Sequence, residues 1–142
     1  FLDACWHKFE EHSNSNTIFN LKDHLWTLYL YEKKLWKIPQ KSDPYGIYDG
    51  CHCAQDHLTI TADGNIMACR RFDSVVGNVE TGIYDAYKSS EMDKYRHYGK
   101  FEKCKDCVLL RFCRGCPAVA YGYKRDFYAS DPQCWRTVKS SV

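Results

Sequence analysis

The sequence has 142 residues, 44% of them hydrophobic, which suits one domain, or one domain with a short attached segment, around a modest core. Twenty Lys+Arg against 18 Asp+Glu leave a formal charge of +2, too balanced for a nucleic-acid-binding or polybasic membrane surface. No apolar run reaches the ~18 residues of a membrane-spanning helix, and no basic segment followed by an apolar stretch opens the chain as a signal peptide would.

Phe1 stands where an initiator Met would, which reads as a fragment or a processed product. Asn20-Leu-Lys-Asp23 has the form of a helix start with Asn20 as cap. From Leu21 to Leu35 the residues Leu25, Leu28, Tyr29 and Leu35 recur at near-helical spacing, with Trp26 and Trp36 beside them, an aromatic stripe that reads as core. Lys37 to Gly50, with two prolines and two glycines, reads as a boundary loop. It divides a helical linker, residues 1–45, from a cysteine-rich domain, residues 46–142. In that domain His57–Ile60 and Ile66–Cys69 flank Thr61-Ala-Asp-Gly64, predicting a β-hairpin whose Gly64 supplies a positive φ. Asp73–Asn78 reads as a loop, Ile83–Tyr98 as one amphipathic helix, and Ala118–Tyr123 as a short helix with Pro117 near its first turn. Asp131-Pro132 marks a turn that presents Cys134.

Nine cysteines are the unusual feature. Cys5 stands alone and reads as a buried, inert thiol. The other eight are Cys51, Cys53, Cys69, Cys104, Cys107, Cys113, Cys116 and Cys134. Cys104-Lys-Asp-Cys107 and Cys113-Arg-Gly-Cys116 place four thiols within thirteen residues. Disulfides there would close very short loops, with little entropic gain and a risk of strain. Metal or cluster ligation needs such short spacings. Zinc ribbons separate their two pairs by roughly 12–20 residues, whereas only Val108–Phe112 intervene here. The run then enters Pro117, as a bacterial ferredoxin run ends in Cys-Pro with its last cysteine crossing to a second cluster. Eight cysteines also divide into two four-cysteine zinc sites, so the count alone leaves both centres open.

Cys53, ten residues, Gly64, four residues, Cys69, then Cys104-x2-Cys107-x5-Cys113-x2-Cys116 and a final Cys134, resembles the SPASM domain. That domain is the C-terminal extension of many radical S-adenosylmethionine enzymes, with the signature C-x(9–15)-G-x4-C, gap, C-x2-C-x5-C-x3-C, gap, C. The likeness covers about residues 46–137 and departs at one place, where Arg114 and Gly115 stand for the usual three residues. It implies a small, irregular α+β domain, a hairpin plus short helices stabilised by two auxiliary [4Fe–4S] clusters. By position, Cys104, Cys107, Cys113 and Cys134 resemble ligands of a distal cluster. Cys69 and Cys116 resemble ligands of a proximal one, completed by Cys53, Cys51 or both. Four thiolates would close the proximal cluster; three would leave an iron open to a substrate thiolate.

The resemblance further implies a cytoplasmic enzyme that modifies a peptide or protein, for example by thioether cross-linking or side-chain oxidation. These clusters would relay electrons to an external carrier or ligate the substrate. No three cysteines have the C-x3-C-x2-C spacing that binds the catalytic cluster of such enzymes. The catalytic domain, with S-adenosylmethionine and a third [4Fe–4S] cluster, is therefore expected upstream in a parent chain, and this module alone is expected to be inert. His52 and His57 read as surface or hydrogen-bonding groups rather than ligands, and the eleven tyrosines as packing. Arg70, Arg71, Arg111 and Arg114 lie near thiols in sequence, where each either favours a thiolate-bound cluster or is a solvated surface group. The rivals are a module holding Zn2+ on the same cysteines, a secreted disulfide domain, and an RNA-binding zinc module that the charge disfavours.

Overall fold

The computed structural model describes residues 1–21, 23–40 and 46–138. Helix α1, Leu2–Glu11, was not legible in the sequence. It carries Asp3 in its first turn and Lys8 in its last, matching the helix dipole. None of its residues is fully buried, and it lies against helix α2, Trp26–Glu32. The Asp3 carboxylate accepts from the Tyr29 hydroxyl at 2.8 Å and pairs with Lys33 at 2.7 Å, while Trp6 packs 6.4 Å from Trp26.

α2 is shorter than the helix predicted from Leu21 to Leu35, and Asn20 does not cap it. The Asp23 carboxylate instead accepts from the Leu25 backbone N–H at 2.8 Å, forming a turn that starts the helix later. Lys22, and residues 41–45 of the expected boundary loop, lie outside the described residues. Leu25 and Leu28 are buried with Leu109 and Cys113, and Tyr31, Trp36, Ile38, Cys107 and Cys134 pack around them. The first segment thus forms a wall over part of the cysteine-rich region.

The predicted hairpin forms as β1, Thr59–Ile60, and β2, Asn65–Met67, with Gly64 at φ +82° in the turn. A third strand, β3, Val75–Asn78, pairs antiparallel with β2 and gives the sheet order β1-β2-β3. This corrects the loop expected at Asp73–Asn78. Gly77 and Asn78 look like turn residues, but Gly77 is small because the following helix α3, Ile83–Lys88, crosses it. A Cβ built on Gly77 would lie 2.7 Å from the Ala86 Cβ.

α3 is Ile83–Lys88, and the single helix expected through Tyr98 is interrupted at Ser89. Ser89 is extended, with ψ 154°, and its hydroxyl accepts from the Met92 N–H at 3.1 Å, capping the short helix α4, Ser90–Asp93. Two 3-10 turns follow, Lys94–Arg96 and Tyr98–Lys100. The break turns Met92, Tyr95 and Phe101 toward one core with Ile66, Ala68, Val76, Ala86 and Phe127, and Cys53 and Cys104 are part of that core. Helix α5, Pro117–Lys124, starts with Pro117 in its first turn, as expected, and stops at Arg125 in the left-handed conformation. The small mixed α+β class read from the sequence is the one observed.

Asp131 clamps the chain end onto this body. Its buried carboxylate accepts from the Cys116 N–H at 2.7 Å and the Gln133 N–H at 2.8 Å, and meets His24 Nε2 at 2.9 Å. Its carbonyl accepts from the Cys134 N–H at 3.1 Å, so the predicted turn does present Cys134. Gly115 lets this clamp close: it sits at φ +67°, and an added Cβ would fall 2.8 Å from the Asp131 Cβ. Two outcomes follow for unfolding of the metal-loaded chain. Gly77→Ala is expected to cost about 1–3 kcal/mol through overpacking of α3 on β3. Gly115→Ala is expected to cost more, about 2–4 kcal/mol, because left-handed backbone strain adds to the clash. Denaturant midpoints equal to the parent for either variant would contradict the corresponding packing.

Candidate metal centre

All nine cysteines are free thiols, and eight fall into two groups of four. Cys51, Cys53, Cys69 and Cys116 line one cavity of about 650 Å3. Gly50, at φ +79°, brings Cys51 and Cys53 in against the backbone of Phe112 and Cys113, where an added Cβ would meet the Phe112 carbonyl at 3.1 Å. Cys69 follows β2, and Ser74 fixes it in two ways: its hydroxyl accepts from the Cys69 N–H at 2.9 Å and donates to the Cys69 carbonyl at 2.8 Å. Cys116 immediately precedes α5, held by Asp131, and its Sγ receives the Arg71 guanidinium at 3.7 Å.

The second group is Cys104, Cys107, Cys113 and Cys134. Cys104 opens a 3-10 turn, Cys104–Asp106, whose closing N–H belongs to Cys107, at 3.0 Å from the Cys104 carbonyl. The Cys104 thiol donates to the Arg114 carbonyl at 3.4 Å, and the Cys113 thiol to the His24 carbonyl at 3.3 Å. Lys103 reaches the Cys134 carbonyl at 3.0 Å. The two groups meet along Cys113–Cys116, a stretch of four residues that gives one thiol to each.

The electrostatics repeat this division. In the first group a hydrogen bond from the Cys53 thiol holds Cys51 below the ordinary thiol range, with the Arg114 charge assisting. The same bond, burial and the charges of Cys51 and Cys69 push Cys53 upward. Burial raises Cys69, and the charges of Cys51 and Cys116 add to it. In the second group burial pushes Cys104 up to about 12, reinforced by Cys134, Cys107 and Cys113. Burial likewise pushes Cys113 up to about 11, opposed by the Gly115 N–H and reinforced by Cys134 and Cys107. Cys53, Cys69, Cys104 and Cys113 are thus held in the thiol form by burial and by neighbouring thiols, and a cationic centre removes that opposition.

Arg114 supplies a further sign of fit. Its side chain is buried, 2% exposed, and two of its nitrogens, Nε and Nη1, have no hydrogen-bond partner. Such a cation suits a wall shared with a polyanionic thiolate centre. Among the described residues, no three His, Cys, Asp or Glu side chains come close enough to hold a single metal ion.

The other residues singled out in the sequence are placed as follows. His52 and His57 line the cavity, but His52 is engaged by Asp56 at 2.9 Å, and His57 is exposed. Arg70 and Arg71 lie exposed on the cavity wall. Arg111 is half-buried, and its carbonyl accepts from the Tyr48 N–H at 2.9 Å. Cys5 sits half-buried on α1, in neither quartet. Sequence reasoning missed His24, Ser74 and the clamp by Asp131. The Asp-Pro pair signalled a turn, but nothing local signalled that its carboxylate would reach residues 24 and 116.

A family model described as SPASM, an iron–sulfur cluster-binding domain, matches residues 51–108. The match covers less than half of the chain and includes Cys51, Cys53, Cys69, Cys104 and Cys107, whereas Cys113, Cys116 and Cys134 lie beyond it. No curated protein and no solved structure matches the chain. Among the described residues, no helix is long and apolar enough to cross a membrane. Residues 51–108 are thus similar to an iron–sulfur cluster-binding SPASM domain, a domain typically found in radical S-adenosylmethionine enzymes.

Proposed function

We propose that this chain is the auxiliary-cluster module of a radical S-adenosylmethionine enzyme that modifies a peptide or protein, and that its role is electron relay. The observation that carries this reading is the gathering of Cys51, Cys53, Cys69 and Cys116 around one cavity, beside the group of Cys104, Cys107, Cys113 and Cys134 that meets it along Cys113–Cys116. Cys51, Cys53, Cys69 and Cys116 would hold a proximal [4Fe–4S] cluster, and Cys104, Cys107, Cys113 and Cys134 a distal one. The clusters would supply one-electron redox chemistry between the substrate and an external carrier.

The chain's own residues then have separable tasks. Cys51 and Cys53 both line the cavity with Cys69 and Cys116, which supports closed, four-thiolate coordination and so relay over capture of a substrate thiolate. Leu25, Leu28 and Leu109 cover Cys113 and keep water from the distal quartet. Ser74 and Asp131 satisfy the backbone N–H groups of Cys69 and Cys116 and so hold those thiols in position. The catalytic cluster and S-adenosylmethionine would sit in an upstream domain of a cytoplasmic parent enzyme, with a peptide or protein substrate and an external electron carrier as partners.

Anaerobic reconstitution with iron and sulfide tests this. The expected product is brown and holds about eight irons, four per cluster; a colourless chain with two tightly bound zinc ions would sink the proposal in favour of the zinc module. Cys69→Ser and Cys134→Ser should each retain about four irons, from opposite quartets. Cys51→Ser and Cys53→Ser should both behave like Cys69→Ser. A Cys51→Ser chain with its full iron would instead mean an open iron and substrate ligation. Stripping the iron with a chelator should lower the thermal midpoint sharply, because binding free energy is part of the folding free energy; an unchanged midpoint would show that the clusters are incidental to the fold.

A further inference from the structure

Most features that invite a new role belong to the quartets themselves. Arg114 does not, because it is neither a ligand nor part of the apolar core. It is 2% exposed, so its charge is carried into the interior. One nitrogen, Nη2, donates to the backbone carbonyls of Cys51 and, at 3.2 Å, Cys53. The guanidinium plane lies over the Tyr98 ring, 4.7 Å from its centroid, and the Tyr98 hydroxyl is itself held by the Gln55 side chain. These contacts fix the group without neutralising it, and Nε and Nη1 remain buried and unpartnered. The neighbouring buried carboxylate, Asp131, is committed to His24 and to the N–H groups of Cys116 and Gln133. A buried cation without a counter-ion is unfavourable. Both residues that its guanidinium touches through their carbonyls, Cys51 and Cys53, belong to the proximal quartet.

We infer that Arg114 is a buried counter-ion that raises the reduction potential of the centre held by Cys51, Cys53, Cys69 and Cys116. The inference rests on the cluster reading proposed above. Reduction adds one negative charge to that centre, and a fixed positive charge in a poorly solvated wall favours the more negative state. Arg71 is the internal comparison. It also reaches a thiol of this quartet, Cys116 at 3.7 Å, but it is exposed, so water and salt screen it. The same Arg114 residue accepts the Cys104 thiol at its carbonyl. Its side chain therefore serves one quartet while its backbone positions the other, and only the side-chain role should respond to substitution.

The test is a potentiometric titration of the iron-loaded full chain followed by electron paramagnetic resonance, comparing the parent with Arg114→Gln, Arg114→Lys and Arg71→Gln. At a fixed potential, Arg114→Gln should lower the reduced-to-oxidised ratio of one of the two centres about tenfold, which for a one-electron couple is a fall of about 59 mV. The other centre should stay in place. Arg114→Lys keeps the charge and should leave the ratio near the parent value, and Arg71→Gln should move it less than Arg114→Gln. Unchanged potentials in a fully loaded Arg114→Gln chain would overturn the inference, as would a Lys variant that shifts as far as the Gln variant. If Arg114→Gln fails to hold iron, the Lys variant decides: full loading at the parent potential supports the charge role, and loss of iron there too reduces Arg114 to a packing residue. A parent chain that takes up no iron fails at an earlier step and overturns the cluster reading itself.

Discussion

Eight thiols gathered into two groups of four repel one another once ionised, and that repulsion is the constraint on which the rest of the structure depends. Burial, reinforced by neighbouring thiols, drives Cys104 and Cys113 far above the ordinary thiol range. Without a cationic centre such buried thiols stay protonated, because burial and each neighbouring thiolate oppose their ionisation. The arrangement makes physical sense when a cationic centre takes up the thiolates, so metal binding and folding are parts of one equilibrium. The regular structure is correspondingly sparse: among the described residues there are three short strands and five α-helices, of which α4 has four residues.

The constraint also explains where rigidity is concentrated. Side chains that are not ligands lock the thiol-bearing loops: Ser74 grips both backbone groups of Cys69, and Asp131 holds Cys116, His24 and the turn before Cys134 together. Gly50 and Gly115 permit close approaches that a Cβ would obstruct, at positive φ values that L side chains rarely adopt. A deficit in hydrogen-bonded ladder is thus offset by side-chain brackets around the metal-binding loops. Such brackets are local in space but remote in sequence, as with His24 and Asp131, 107 positions apart.

That remoteness sets what could be read in advance. The hairpin at Gly64 and the helix after Pro117 were legible because turn and cap chemistry act within a few residues. The assignment of the cysteines to two quartets came from ligand spacing along the chain, which resembles a known signature. β3 was hidden by Gly77, whose smallness reports a crossing helix rather than a turn. The break at Ser89 was hidden because its apolar neighbours keep a helical period on both sides of the cap. Arg114 offered two equal readings, exposed or cluster-facing, and only tertiary burial separates them.

The shortened spacing between Cys113 and Cys116 draws these threads into one place. With two intervening residues instead of the three usual in the signature it resembles, the chain must turn sharply, and Gly115 supplies that turn at φ +67° against Asp131. The remaining residue, Arg114, is then forced inward between the quartets, its carbonyl toward Cys104 and its guanidinium toward Cys51 and Cys53. In the relay proposed above, the departure from the usual pattern sets a fixed positive charge against Cys51 and Cys53, on the stretch of backbone that gives one thiol to each quartet.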